Sequence, residues 1–154
     1  MTEHPFEKMS WHDNLIHGLQ LRAPDPERGD WRSELVLDID HIVEWVCADD
    51  KSVQFRVAPA TLVFHHVTDL KIAFDMGGDH VMTLNELSID RITREPAPRR
   101  EGAPHPNFVW RVALNDPQGG EITFGATKFT QTLRAEPVLL DQPRLHGSER
   151  PLVG

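Results

Sequence analysis

Cysteine is almost absent from this chain: Cys47 stands alone, so no internal disulfide can form and a cysteine-rich zinc site is excluded. Long apolar runs are missing too, and none approaches the roughly 18 residues that a membrane-spanning helix needs. The opening residues, MTEHPFEKMSW, hold no apolar stretch of the signal-peptide kind. Basic residues are the minority, 16 against 24 acidic, giving a formal charge of −8. That balance argues against nucleic acid as a partner, where phosphate neutralisation dominates affinity. It also keeps a protein in solution and suits a basic protein partner. No glycine-rich phosphate loop follows a strand pattern, because Gly77-Gly78 and Gly119-Gly120 are turn pairs. The expectation is a soluble, cytoplasmic protein with no cofactor and no membrane association. A chain of 154 residues fits one domain, whose core needs no metal to stand.

What is present is alternation. From Leu35 the odd positions read Leu35, Leu37, Ile39, His41, Val43, Trp45 and Cys47, with acidic residues between them. Period two over this length predicts a strand, or two strands sharing a bend, with one buried face. Leu15 to Arg22 starts a strand, and Val53, Phe55 and Val57 alternate until Ala58-Pro59, which should break the ladder. Leu62 and Phe64, then Leu70, Ile72 and Phe74, continue the pattern. Val81 to Arg94 is less regular, though its β-branched residues favour strand. Phe108, Trp110, Val112 and Leu114 alternate cleanly, and residues 115–120 close a hairpin onto Ile122 and Phe124. The apolar face then resumes out of phase at Phe129, which predicts a β-bulge at Gly125-Ala126. A short N-terminal helix around Phe6 to Met9 is left open. The pattern predicts an all-β protein, an antiparallel sandwich or open barrel of seven to eight strands. Residues 1–136 form a single β-domain, 95–107 a proline-rich mobile loop within it, and 137–154 a proline-rich tail. Leu37, Ile39, Val43, Trp45, Phe55, Phe64, Trp110, Val112 and Phe124 are the expected core.

Three stretches carry residues with chemistry. In "SWHDNLIHG", residues 10–18, His12 and His17 lie on opposite faces of a strand and cannot share a metal. Ser10, His12 and Asp13 are too close in sequence for a serine-type relay, whose members meet from separate segments. Asp13-Asn14 is ordinary turn chemistry, and Trp11 is an apolar anchor that seats the turn on the core. In "LDIDH", Asp38 and Asp40 share one face, about 6.6 Å apart at ~3.3 Å per residue. Their repulsion is about 0.6 kcal/mol in water and about 2.5 kcal/mol at an effective dielectric of 20, so exposure leaves them harmless. In a concave site they would demand a cation or a raised pKa. His41 points to the apolar face as a hydrogen-bonded core histidine. In "FHHVTD", His65 and His66 point to opposite faces, one inward and one solvated. A metal site would need His12 or one of His65 and His66, plus Asp38 or Asp40, converging across strands; the candidate binding residues are His12, Asp13, Asp38, Asp40, His65 and His66. Imidazole with carboxylate suits several divalent metals, so none is named. Cys47, at the end of the apolar face, is expected to be a small buried hydrophobe.

The runs "WHDNLIHGLQL", "LVLDIDHIVEWV", "VAPATLVFHHVTDLKI" and "GEITFGATKFTQTLR" resemble small single-domain bacterial proteins with no assigned function. They are also similar in style to some immunity proteins of polymorphic toxin systems. The resemblance covers residues 11–134, implies a β-rich fold and carries no catalytic residues. Together these readings favour a non-catalytic module that binds another macromolecule, in an immunity or regulatory role, with a protein as partner. The alternative is a small metal- or ligand-binding β-barrel enzyme with a His/Asp site.

Overall fold

The structure, a computed structural model, describes residues 6–75, 86–98 and 107–145. Alternating apolar residues give β1 (Leu15–Arg22), β2 (Glu34–Cys47), β3 (Val53–His65), β4 (Thr68–Ala73) and β5 (Leu87–Pro96). They continue as β6 (Phe108–Asp116), β7 (Glu121–Ala126), β8 (Lys128–Leu133) and the short β9 (Val138–Leu140). Two 3₁₀ turns, Phe6–Lys8 and Pro26–Arg28, are the helical elements among the described residues. The protein is all-β and antiparallel, one sheet in the order β4-β7-β6-β5-β1-β2-β3-β8, with β9 added to β3. It is not closed into a barrel.

The sheet doubles back on itself, because β1 meets β5 through only Leu15↔Ser88 and Ile16↔Leu87. The halves instead share a core. Leu35, Leu37, Ile39, Leu62 and Phe64 come from one side of that join, and Ile89, Trp110, Val112, Ile122 and Phe124 from the other. Phe64 meets both Trp110 and Phe124 edge-on, at centroid distances of 5.1 and 4.7 Å. Trp11 closes the core, buried beside Phe6 and Phe129, and its indole N–H donates to Gln131 Oε1 at 2.8 Å.

The phase change after Phe124 is a corner, not the predicted bulge. Strand β7 pairs with β6 and β4, but after Thr127 the chain enters β8, which pairs with β3. Crossing from one partner set to another turns the side chains over without inserting a residue. Gly125 permits the crowding at this corner: a Cβ there would lie 2.6 Å from Thr68 Oγ1 and 3.3 Å from Asn107 Nδ2. Gly125→Ala should therefore cost about 1–3 kcal/mol, as overpacking does. A urea midpoint equal to that of the parent chain would show that Thr68 gives way freely.

Four further expectations are corrected. The apolar face of β2 does not run to Cys47, because the β2–β3 register shifts between Ile42 and Glu44. A bulge there reverses the faces, so Val43 and Trp45 are exposed, and Cys47 is exposed instead of buried. Phe55, opposite Trp45, is only partly buried. Pro59 does not break β3, which pairs with β2 straight through it. Its missing N–H falls on the other edge, between the end of β8 at Ala60 and the start of β9 at Val57. Its carbonyl, on that same edge, accepts from Arg134 N at 2.8 Å. Asp38 and Asp40 are not exposed: Asp40 is fully buried and Asp38 half-buried. Arg134, just after β8, and Leu145 in the tail supply the cover. Arg134 reaches Asp38, and Leu145 packs with Ile42 and Val57 in a small second cluster. The predicted turn at 76–79, the start of the 81–94 segment, most of the 95–107 loop and the last tail residues lie outside the described residues.

Candidate functional site

The face of β2 turned away from the main core carries a row of polar groups. Register alignment puts Glu34 beside His65, Asp38 beside Gly18 and Thr61, and Asp40 beside Leu15 and Pro59. At one end His65 bridges neighbours, its Nδ1 3.0 Å from Glu34 Oε2 and its Nε2 3.0 Å from Thr130 Oγ1. In the middle Arg134 donates to Asp38 Oδ1 at 2.6 Å and to Ala60 O and Thr61 Oγ1, both at 2.9 Å. At the far end His17 Nε2 lies 2.7 Å from Asp40 Oδ2, and the same oxygen accepts from Leu145 N at 3.1 Å. His17 reaches this side because the β1–β2 register shifts between Ile16 and Gly18, which leaves it outside the ladder.

The opposite face holds His41 as expected, part-buried, with Nδ1 2.8 Å from Asn14 Nδ2. Asn14 is itself buried and accepts from Ile42 N through Oδ1 at 3.1 Å. It ties the start of β1 to β2 across the core edge. The preceding turn holds Asp13 at φ 64°, and Asn115 donates to Asp13 Oδ1 at 2.8 Å. His12 is half-exposed beside this turn, between Asp13 and Asp90.

The sequence candidates therefore sit in separate places. His12 and Asp13 join Asp90 and Asn115; Asp38 lies under Arg134 and Asp40 under Leu145 of the tail; His65 serves Glu34 and Thr130; His66 is exposed, at φ 58°. Among the described residues, no group of three or more His, Cys, Asp or Glu is arranged to hold a metal. The geometry suits scaffolding: each of these pairs ties one strand or segment to another.

His65 carries the clearest pH consequence. Burial pushes its imidazole below the usual value near 6.5, against the opposing pull of the Glu34 carboxylate. A depressed folded-state pKa means the unfolded chain binds the proton more readily. The neutral ring's contribution is present above about pH 6.5 and is lost as pH falls through the folded value. Urea midpoints between pH 7.5 and 5 should fall more steeply for the parent chain than for His65→Gln. Parallel curves would contradict this.

Sequence reasoning passed over Arg134, read His17 only as unable to share a metal with His12, and read Asn14 only as turn chemistry. A contact from the end of β8, a bulge and a buried turn amide each depend on distant strands. It also passed over Trp31, the most exposed large hydrophobic of the described chain at 75%. Trp31 lies on the β1–β2 connection, which is unusually well fastened. Arg28 N and Asp30 N both reach Asp25 O, and Gly29 N reaches Pro26 O with Gly29 at φ 72°. Arg32 bonds the Asp30 carboxylate through its backbone N and its Nε, at 3.0 and 2.9 Å. The connection is then pinned to the β3–β4 corner, where Ser33 and Val67 exchange hydrogen bonds. The signal for this was legible as "PDPERGDW", turn residues leading into an aromatic.

Comparison with protein-family models, curated proteins and solved structures finds no match to this chain.

Proposed function

We propose that this protein is a non-catalytic macromolecule-binding module, of an immunity or regulatory kind, with a protein as its partner. The observation that carries the reading is Trp31, held 75% exposed on a hydrogen-bonded connection. An exposed indole gains nothing for the fold, yet tryptophan is the residue type in which binding energy concentrates. A connection fixed in advance loses little conformational freedom on association, which raises affinity without added contact area. The engagement of His12, Asp38, Asp40 and His65 with neighbouring side chains supports the same reading, since their positions are explained by the scaffold.

The test uses the full chain immobilised beside its Trp31→Ala variant, with proteins captured from the native host and identified. The reading expects one protein recovered in stoichiometric amount by the parent chain and lost with Trp31→Ala, while the two melting temperatures agree. Equal capture by both forms, or capture of nothing, would count against it. Metal analysis of the untagged protein, purified without chelator, addresses the enzyme alternative: stoichiometric zinc, manganese or iron would favour a His/Asp metal site.

A further inference from the structure

We propose that the free end of the β2–β3 hairpin is a docking surface for a basic protein segment carrying apolar anchor residues. The inference rests on the binding reading above and adds a second contact face with a defined partner chemistry. Three of the ten exposed large hydrophobics of the described chain, Trp45, Val53 and Val138, lie on one face here, with Val43 at the bulge beside them and Leu139 on the reverse face. The register shift at Ile42/Glu44 brings this about. Beyond it Trp45 lies opposite Phe55 and Cys47 opposite Val53, while β9 places Leu140 beside Phe55 and Val138 beside Val57. Trp45, Cys47, Val53 and Val138 therefore share one face.

That face is built upon. The Trp45 and Phe55 rings meet edge-on at 4.9 Å, and Phe55 packs against the buried trio Ile42, Val57 and Leu145. An apolar surface seated on a small core presents a fixed shape, as the centre of an interface does. The same phase slip that exposes Trp45 removes it from the main core.

The charges around the patch choose the occupant. Asp49 and Asp50 stand in the hairpin turn and Glu136 precedes β9, while Glu44, which meets Arg56, and Asp141, which accepts from Gln54, belong to the reverse face. Against the three acids Asp49, Asp50 and Glu136 stands Lys51 in the same turn. Asp50 is held as a carboxylate acceptor by Ser52 N and Oγ, at 3.0 and 2.6 Å. The rim is thus net acidic, in keeping with the formal charge of −8 on the whole chain. A second copy would bring the same acidic rim to the same place, and like charges facing each other suppress association. A segment with lysine or arginine around an apolar anchor meets both features at once.

Short random peptides displayed on phage, selected on the full-length chain, provide the probe. The expected winners are net positive and contain Trp, Phe, Leu or Ile. Bound to the chain, they should slow thiol modification of Cys47, the single cysteine, which lies within the patch. Their affinity should fall about tenfold or more with Val53→Ser, and likewise with Asp49→Lys combined with Asp50→Lys, and should survive Trp31→Ala. Val53 is exposed, so its variant leaves the main core untouched. Neutral or acidic winners, no winner, or winners that leave Cys47 equally reactive would each overturn the inference. A dimer dissolved by Val53→Ser would assign the patch to a second copy and overturn it too. Winners that depend on Trp31 alone would end this inference and leave the binding reading standing. Absence of any winner, together with Trp31-independent capture from the host, would end both.

Discussion

Trp11→Ala should destabilise the fold by about 3–5 kcal/mol, the range for truncating a buried aromatic. Trp11 is 3% exposed, stacks on Phe6 at 5.6 Å and meets Phe129 edge-on at 5.7 Å. Its removal would open a cavity among these rings and strand Gln131 Oε1, its buried hydrogen-bond acceptor. For a chain of this length each kcal/mol moves Tm by roughly 2–4 °C, so a fall on the order of 10 °C is expected. His12→Ala, one residue along, should change stability by no more than about 0.5 kcal/mol, because His12 is half-exposed on the turn. Thermal or urea melts of the two variants decide the role of the motif. A stable Trp11 variant beside an unfolded His12 variant would reverse the assignment of anchor and bystander.

The second large effect concerns Asp40. Its carboxylate is fully buried, and Asp40 Oδ2 is met by His17 Nε2 at 2.7 Å and by Leu145 N at 3.1 Å. Removing one partner of a buried pair weakens the compensation of the group left behind, which in fully buried cases costs about 3–5 kcal/mol. The His17 side chain is 28% exposed, so His17→Ala should fall below that range, at about 2–3 kcal/mol. Asp40→Ala takes the acceptor from both donors and should also loosen the tail at Leu145. The two substitutions act on one contact, so the double variant should cost less than the sum by about 1 kcal/mol or more. Additive effects in urea melts, or unchanged hydrogen exchange at Leu145, would show that the pair and the tail are independent.

The all-β, antiparallel character was legible in the sequence because period two is a local property. Leu15, Trp110, Phe124 and the 115–120 hairpin fell where the alternation placed them. His41 was legible for the same reason, as one more position on the core face of β2. The errors mark where distant segments intervene. The bulge at Ile42/Glu44 carries no proline or glycine to announce it, so Trp45 read as core. Pro59 read as a breaker because its edge position depends on β8 and β9 ending on either side of it. Asp38 and Asp40 read as exposed because their cover, Arg134 and Leu145, is nearly a hundred residues away or more. Trp31 shows the reverse case, an aromatic that alternation does not claim and turn chemistry holds outside.

The Trp11–Gln131 contact, which joins positions 120 residues apart, also orders events on the ribosome. Strands β1, β2 and β3 pair as neighbours and can form as they emerge, but β8 completes the outer edge of β3. Until β8 has been synthesised, the nascent chain has an unpaired β3 edge, and the ring of Trp11 lacks both Phe129 and Gln131. Pairings so distant in sequence are slow to form, and unpaired edges with uncovered apolar groups are what chaperones bind and what aggregates grow from. Translation of this chain therefore passes through a long interval in which most of its strands exist and its core is still open to other chains.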